Sequence, residues 1–252
     1  LSVSSHLCPY TNLAFEKTLL ESLGENDLHL FLYRNKPSIV MGRFQVPWRE
    51  IDLVKADALK LLLVRRRSGG GTVYHDPGNW NFCFLRGDRE LHREENLDMV
   101  IEVLKILGVS THRNNRFDLT YHLEGSDGFE VKKVSGSAFK QQKDRSYHHA
   151  TLLVDANLKS LKGTLGTRKG LNVEGKGIAS HPSPVINLND VCETLHFENW
   201  IEEWKRFFHC SGPEVFLEES EVSLEKEALS DWGWLWGETP ENRVVFKENG
   251  QW

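Results

Sequence analysis

The chain has 252 residues, 39% of them hydrophobic, with 13 Phe, 8 Trp and a formal net charge of -5. That is enough apolar material for one large core, and the surplus of acid over base argues against nonspecific nucleic-acid binding. No apolar run is long enough for a membrane-spanning helix. In chain order, residues 12–23 are predicted as a capped amphipathic helix stopped by Gly24. Strands follow at 28–34 and 37–41, turning at Asn35-Lys36, and 47–59 carries a helical pattern begun by Pro47 and capped near Asp52. An apolar strand at 61–64 leads into Arg65-Arg66-Arg67-Ser68-Gly69-Gly70-Gly71-Thr72-Val73-Tyr74-His75-Asp76, and a strand at 80–85 leads out.

Residues 94–107 read as a helix with Leu97, Val100, Ile101, Leu104 and Leu107 on one face. Strands are predicted at 117–123, 129–134 and 149–155, the first two joined through Ser126 and Asp127. Glycine and lysine crowd 162–177 and prolines follow, so this span is expected to be a mobile loop. Long helices are predicted at 190–208 and 219–229. Strands and helices interleave without regular βαβ spacing, which implies an α+β fold around a mixed, mainly antiparallel sheet flanked by helices. The whole is expected to be one catalytic domain.

Basic residues gather at 65–67, 132–145 and 159–176, while acidic residues concentrate at 214–248. Local positive charge within a globally negative chain suits a buried anion site. Cys8, Cys83, Cys192 and Cys210 are far apart, without metal-ligand spacing, and are expected to be reduced thiols. The opening Leu1-Ser2-Val3-Ser4-Ser5 has no signal-peptide pattern, and without an initiating Met it leaves room for a removed leader.

The triple glycine removes every β-carbon from a short run, so the backbone can take positive φ and approach a ligand closely. The arginines before it are forks suited to phosphate or carboxylate. Neither Gly-x-x-x-x-Gly-Lys-Ser/Thr nor Gly-x-Gly-x-x-Gly is present, which sets aside the commoner nucleotide loops. A second string, Lys133-Val134-Ser135-Gly136-Ser137-Ala138, follows a predicted strand, with His148-His149-Ala150 shortly after. Its small residues leave room for a ligand against Lys133. A third string is Lys176-Gly177-Ile178-Ala179-Ser180, continuing to Val185-Ile186-Asn187-Leu188.

Together these strings resemble the lipoate–protein ligase and lipoyltransferase family, with milder echoes at Asn12-Leu13-Ala14-Phe15-Glu16, Tyr33-Arg34-Asn35, Gly42–Trp48 and Trp232-Gly233-Trp234. The resemblance covers nearly the whole chain. It implies a catalytic fold like those of biotin protein ligases and class II aminoacyl-tRNA synthetases. It also implies that lipoate is activated with ATP and Mg²⁺ to lipoyl-AMP, then transferred to a lysine of apo lipoyl domains, either E2 subunits or the H protein. Lys133 matches the family's essential lysine, and Asp118 would help hold Mg²⁺. Tyr33, Arg66, Ser68, Gly69, Gly70, Gly71, His75, Asn79, Ser135, Gly136, Ser137, Ala138, His149, Lys176 and Gly177 would bind lipoyl-AMP or ATP.

Phe117 stands where many bacterial ligases have Asn, and Arg116-Phe117-Asp118-Leu119 looks like the lipoyltransferases that consume preformed lipoyl-AMP. Single-chain ligases continue into an accessory domain, which some members carry as a separate polypeptide. Octanoyltransferases of related fold need a cysteine nucleophile, and no cysteine here adjoins the Lys133 string. A lipoate-binding protein without catalysis is the remaining alternative, disfavoured by Lys133 and Asp118. The resemblance implies the cytoplasm in a bacterium and the mitochondrion in a eukaryote, with no nucleic-acid or membrane partner.

Overall fold

The structure is a computed structural model that describes residues 1–125, 128–209 and 218–246. Ser126, Asp127, Cys210 and part of the acidic 214–248 stretch lie outside the described residues. The central sheet has the order β1-β2-β6-β11-β10, from β1 (Ser2–Val3), β2 (Leu28–Arg34), β6 (Asn79–Arg86), β11 (Arg145–Leu153) and β10 (Ser137–Gln142). Only β1 and β2 run parallel; the other pairs are antiparallel. In β6, alternate residues face opposite ways because side chains alternate across a strand. Trp80, Phe82 and Phe84 enter one core with α4 (Arg93–Ile106) and α6 (Phe197–Phe207). Cys83 and Leu85 enter another with α1 (Pro9–Ser22), where Phe15 meets Phe31 edge-on. Sheathed on both faces, β6 is rigid ground for what it carries.

Two three-stranded sheets flank this frame. One has the order β4-β3-β5, from β4 (Leu62–Arg65), β3 (Ser38–Met41) and β5 (Val73–His75), and holds the two ends of the glycine loop. The other is β7-β8-β9, from β7 (His112–Arg113), β8 (Leu119–Gly125) and β9 (Gly128–Ser135). A two-stranded ladder pairs β12 (Leu171–Gly175) with β13 (Asn242–Phe246). α6 drives Trp200 and Trp204 into the core with no exposed surface, and removing either ring should cost about 3–5 kcal/mol.

Several expectations need correcting. The predicted helix at 47–59 is two short helices, α2 (Pro47–Glu50) and α3 (Leu53–Ala58), because Ile51 is extended and bridges Leu165. Asp52 caps the second, accepting from the Lys55 amide at 3.2 Å. The first helix starts at Pro9, so Asn12 is no cap; its buried amide donates to Arg34 O and Asn35 Oδ1, tying α1 to the end of β2. The span expected to be one loop takes in the end of α5 (Leu158–Thr164) and the whole of β12. The helix at 190–208 begins at Phe197, after a 3-10 turn at Leu188–Asp190. β10 is a further strand, hidden because Ser-Ala-Phe-Lys-Gln-Gln has no alternating pattern; it is an edge strand registered on β11 through Ser137 and Ala150. Finally, α7 (Ser223–Ser230) packs on α1 and β4.

Candidate active site

The glycine loop is a knot of buried hydrogen bonds. Arg65 ends β4, Arg66 follows it, and both turn inward, so neither is a free fork for an anion. Arg66 Nη1 donates to Val40 O, Nη2 to Gly69 O at 2.6 Å and to Gly71 O at 2.8 Å, and Nε to Ser68 Oγ at 2.9 Å. Arg65 donates to the carbonyls of Arg43, Gln45 and Leu235. Burial lowers both guanidinium pKa values to about 10, still charged at neutral pH. Arg66 captures two carbonyls of the loop, so those dipoles are already satisfied. The amides of Gly70 and Gly71 have no partner among the described residues, an arrangement suited to an anion. Gly70 has φ +85, and a β-carbon there would lie 3.0 Å from Arg66 Nη2, so only glycine fits without strain.

A second layer supports the knot. Ser68 Oγ lies 2.8 Å from His149 Nε2, and His149 Nδ1 lies 2.9 Å from both oxygens of Glu16, which also accepts from Tyr33 OH. With the Glu16 carboxylate on Nδ1–H, Nε2 accepts the Ser68 hydroxyl, whose oxygen accepts Arg66 Nε–H. A continuous chain thus runs from α1 through β11 to the loop. Burial, then Glu16, raises the Tyr33 phenol well above its ordinary pKa, so it stays a donor.

Lys133 lies near the end of β9, where its Nζ is 2.9 Å from Asp118 Oδ1. A β-carbon on Gly136 would sit 3.0 Å from that Nζ, so glycine there makes room for the ammonium. Asp118 follows Phe117, which takes φ +60, a left-handed conformation unfavourable for a bulky residue. Its carbonyl accepts from Ser137 Oγ at 2.6 Å and its ring lies under the Arg93 guanidinium.

The third string closes over these two. Ser180 Oγ accepts from the Thr72 amide at 2.9 Å and from Gln45 Nε2 at 3.0 Å. The Lys133 amide donates to Pro184 O, and Ile186 returns a bond to Lys133 O.

Two chambers result. A narrow one of about 200 Å³ is lined by Leu13, Tyr33, Val40, Arg66, Gly70, Gly71, His75, Asp118, Ser137, Ala138 and His149. A wider one of about 610 Å³ is lined by Asn79, Ser135, Tyr74, Leu161, Leu165, His181 and Pro182. Lys133, Gly136, Thr72 and Ser180 belong to both, so the chambers meet at the lysine. Unpartnered polar atoms face this space: His75 Nε2, Asn79 Oδ1 and Ser135 Oγ. His75 Nδ1 accepts from Asn35 Nδ2 at 2.8 Å, which puts the proton on Nε2 as an unused donor. Burial, then Arg66, holds its pKa down to about 3, so the ring is neutral.

Not every predicted site residue reaches the chambers. Ser68 and Gly69 support the wall from behind. Lys176 is 82% exposed and pairs with Glu241, and Gly177 packs on Val46 and Phe44. Arg116, Thr72, Ser180, Gln45 and Glu16 lie within the matching strings and echoes but are not among the expected site residues. Arg116 lines the narrow chamber, and its guanidinium has no partner among the described residues. Its only signal was its place in Arg116-Phe117-Asp118-Leu119, and that of Glu16 its place in the echo Asn12-Leu13-Ala14-Phe15-Glu16.

Residues 8–209 match a family described as the lipoyl protein ligase A/B catalytic domain. A protein named lipoate-protein ligase A from Psychrobacter cryohalolentis is 37% identical over 248 residues, spanning 92% of this chain and 70% of its own length. Another of that name from Bdellovibrio bacteriovorus is 34% identical, spanning 95% of this chain and 72% of its own. Among solved structures, P. falciparum LipL1 in complex with lipoate superposes with a TM-score of 0.73 at 28% identity, covering 95% of this chain and 74% of that one. A bi-partite lipoate protein ligase from Thermoplasma acidophilum, described with its E2 lipoyl domain, gives 0.74 at 24% identity, covering 95% and 97%.

Proposed function

We propose a function from one premise: this chain belongs to the lipoyl protein ligase A/B catalytic-domain family. It activates lipoate with ATP and passes the lipoyl group to a lysine of an acceptor protein. In the first step a lipoate carboxylate oxygen attacks the α-phosphorus of ATP, the bond to the bridging β-oxygen breaks, and pyrophosphate leaves. In the second, an acceptor amine attacks the carbonyl, the C–O bond to AMP breaks, and the amine's proton is lost as the amide forms.

The observation that carries this reading is that the two chambers meet at Lys133. The narrow one takes the lipoyl chain between Leu13, Tyr33 and Val40, and the wider one takes the adenosine. The phosphoryl and carbonyl groups then fall between Lys133 and the free amides of Gly70 and Gly71. Charge builds on oxygen in both steps, and preset donors there stabilise it without reorganisation. His75 Nε2–H adds a neutral donor from the wall, and Arg116 a cation from the rim. Lys133 bridges phosphate and carbonyl, with Asp118 holding its ammonium in place. Thr72 and Ser180 join the wall to its cover, which keeps water from the anhydride.

Among the described residues, Asp118 is the one carboxylate lining the narrow chamber. One carboxylate with waters and phosphate oxygens is an ordinary Mg²⁺ donor set, so these residues fit the ion. When bound, Mg²⁺ neutralises phosphate charge.

A second reading is favoured by Phe117, whose ring turns to Arg93 and offers the site no polar group. On that reading the chain takes preformed lipoyl-AMP and performs only the transfer. The acceptor is a lipoyl domain of an E2 subunit or an H protein, and an accessory domain, covalent or separate, works with the catalytic one. No helix among the described residues could cross a membrane. Mass spectrometry of an apo lipoyl domain tests the reading. Incubation with the protein, lipoate, ATP and Mg²⁺ should add one lipoyl group. Addition only from synthetic lipoyl-AMP selects the second reading, and none from either overturns both.

A further inference from the structure

β9 is the outer strand of its sheet, and its two edges are used differently. At Lys133 the backbone N–H and C=O point away from β8, because they bond Pro184 O and Ile186 N. From Lys133 back to Phe129 the register with β8 is unbroken, each residue facing one partner from Thr120 to Glu124. Backbone groups in a strand alternate in direction, so those of Val131 and Phe129 point the same way as those of Lys133. Neither has a backbone partner there among the described residues. The edge that pairs with 184–186 at the reacting lysine therefore continues, unpaired, for two further outward-facing residues.

The side chains agree. Phe129 and Val131 are 68% and 51% exposed, on the face that carries Lys133. His122 joins them, stacked on His112 at 4.3 Å and tilted toward Phe129 at 6.3 Å. An exposed, apolar, unpaired edge is what proteins ordinarily blunt, unless something pairs with it. Val131 lies two residues from Lys133, about 7 Å along the strand. A strand added here would run in line with 184–186 and end over the junction of the two chambers.

We propose that this edge is where the acceptor protein docks, adding an extended segment that bears its modified lysine as a further strand on β9. Main-chain bonds to Phe129 and Val131 supply register and their side chains supply apolar contact, as in other strand-addition complexes. The inference rests on the proposed transfer to a protein lysine and names how that lysine is presented.

Hydrogen exchange with an apo lipoyl domain tests it without requiring catalysis. The Phe129 and Val131 amides should gain protection on binding, while the ladder-bonded Glu130 and Lys132 amides change little. Loss of exchange at neither Phe129 nor Val131 overturns the proposal, even if lipoyl transfer proceeds normally. Kinetics from synthetic lipoyl-AMP give the second readout. Val131→Pro deletes the outward donor together with the exposed valine side chain, and Phe129→Ser only a side chain. Each should raise KM for the apo lipoyl domain about tenfold while leaving transfer to hydroxylamine unchanged. Equal losses with both nucleophiles, or an unchanged KM, count against docking. A wild-type protein that protects these amides but transfers nothing would sink the transfer reading and leave the docking site standing. Protection of Phe129 and Val131 by self-association in the absence of acceptor would assign the edge to a second copy and overturn the proposal.

Discussion

Around Gly70 the loop carbonyls are held by buried donors, whereas residues 176–184 lie largely exposed and hang from a few points. The wall is set by Arg66, which captures Gly69 and Gly71, and by the chain from Glu16 through His149 to Ser68. The cover hangs from Ser180 on Thr72, Gln45 and Glu50, from Gly177 on Arg49, from Ile178 on Phe44 and Gln45, and from Pro184 on Lys133. A saturated, buried network has one geometry, and an exposed segment on a few bonds can leave it. The charged parts of an acyl-phosphate site belong on the first kind of structure and the door on the second.

The sharpest test of that division lies where wall and cover meet. Lys133→Ala should cut transfer from lipoyl-AMP by about a thousandfold or more, while Lys132→Ala, beside it and ion-paired with Glu130, stays within about twofold. Equal, mild losses would move the chemistry elsewhere. Next in size, Gly70→Val places a branched side chain at φ +85 against Arg66 and should weaken lipoyl-AMP binding about a hundredfold without unfolding the protein. Wild-type affinity by calorimetry would show that the loop is not the cradle.

How much of this could be read beforehand follows the same division. The three strings named Lys133, Gly70, Gly71, Gly136 and His75 because each was local and chemically distinctive. The α+β class followed from the interleaving of strands and helices. What escaped depends on partners far away in sequence. Arg66 looked like an anion fork until Val40, Gly69 and Gly71 were seen to take its donors. Glu16 and His149 are 133 positions apart, and no periodicity joins them. Lys176 looked suited to a phosphate, yet its segment pairs β12 with β13 and turns it outward to Glu241.

The remaining tests are smaller. His75 and His148 have pKa values held down to about 3, chiefly by burial, against an ordinary 6.5. Between pH 6.5 and about 3 the unfolded chain takes up protons that the folded one refuses, so stability falls with pH. Each ring should contribute a slope of up to about 1.4 kcal/mol per pH unit. His148→Gln should flatten that acid limb in denaturant titrations, and an unchanged slope would mean that His148 is charged in the fold. Smallest of all, Ser180→Ala loosens the cover and leaves the wall intact. It should speed hydrolysis of bound lipoyl-AMP a few-fold when no acceptor is present, with affinity nearly preserved. Unaltered hydrolysis would make the cover a fixed part of the wall.

Arg65 has a consequence for how this protein is made. Its guanidinium lies just before the glycine loop, yet it donates to Leu235 O and Thr239 Oγ1, while Trp234 Nε1 donates back to Arg65 O. During synthesis that cation has no complete set of acceptors until some 170 further residues have left the ribosome. The sheets can collapse earlier, but the stretch entering the loop settles only after the closing of one of the longest loops in the chain, a slow entropic step. The glycine loop is therefore among the last parts of the molecule to mature, and a chain stalled before Leu235 would leave the entry to that loop unsettled.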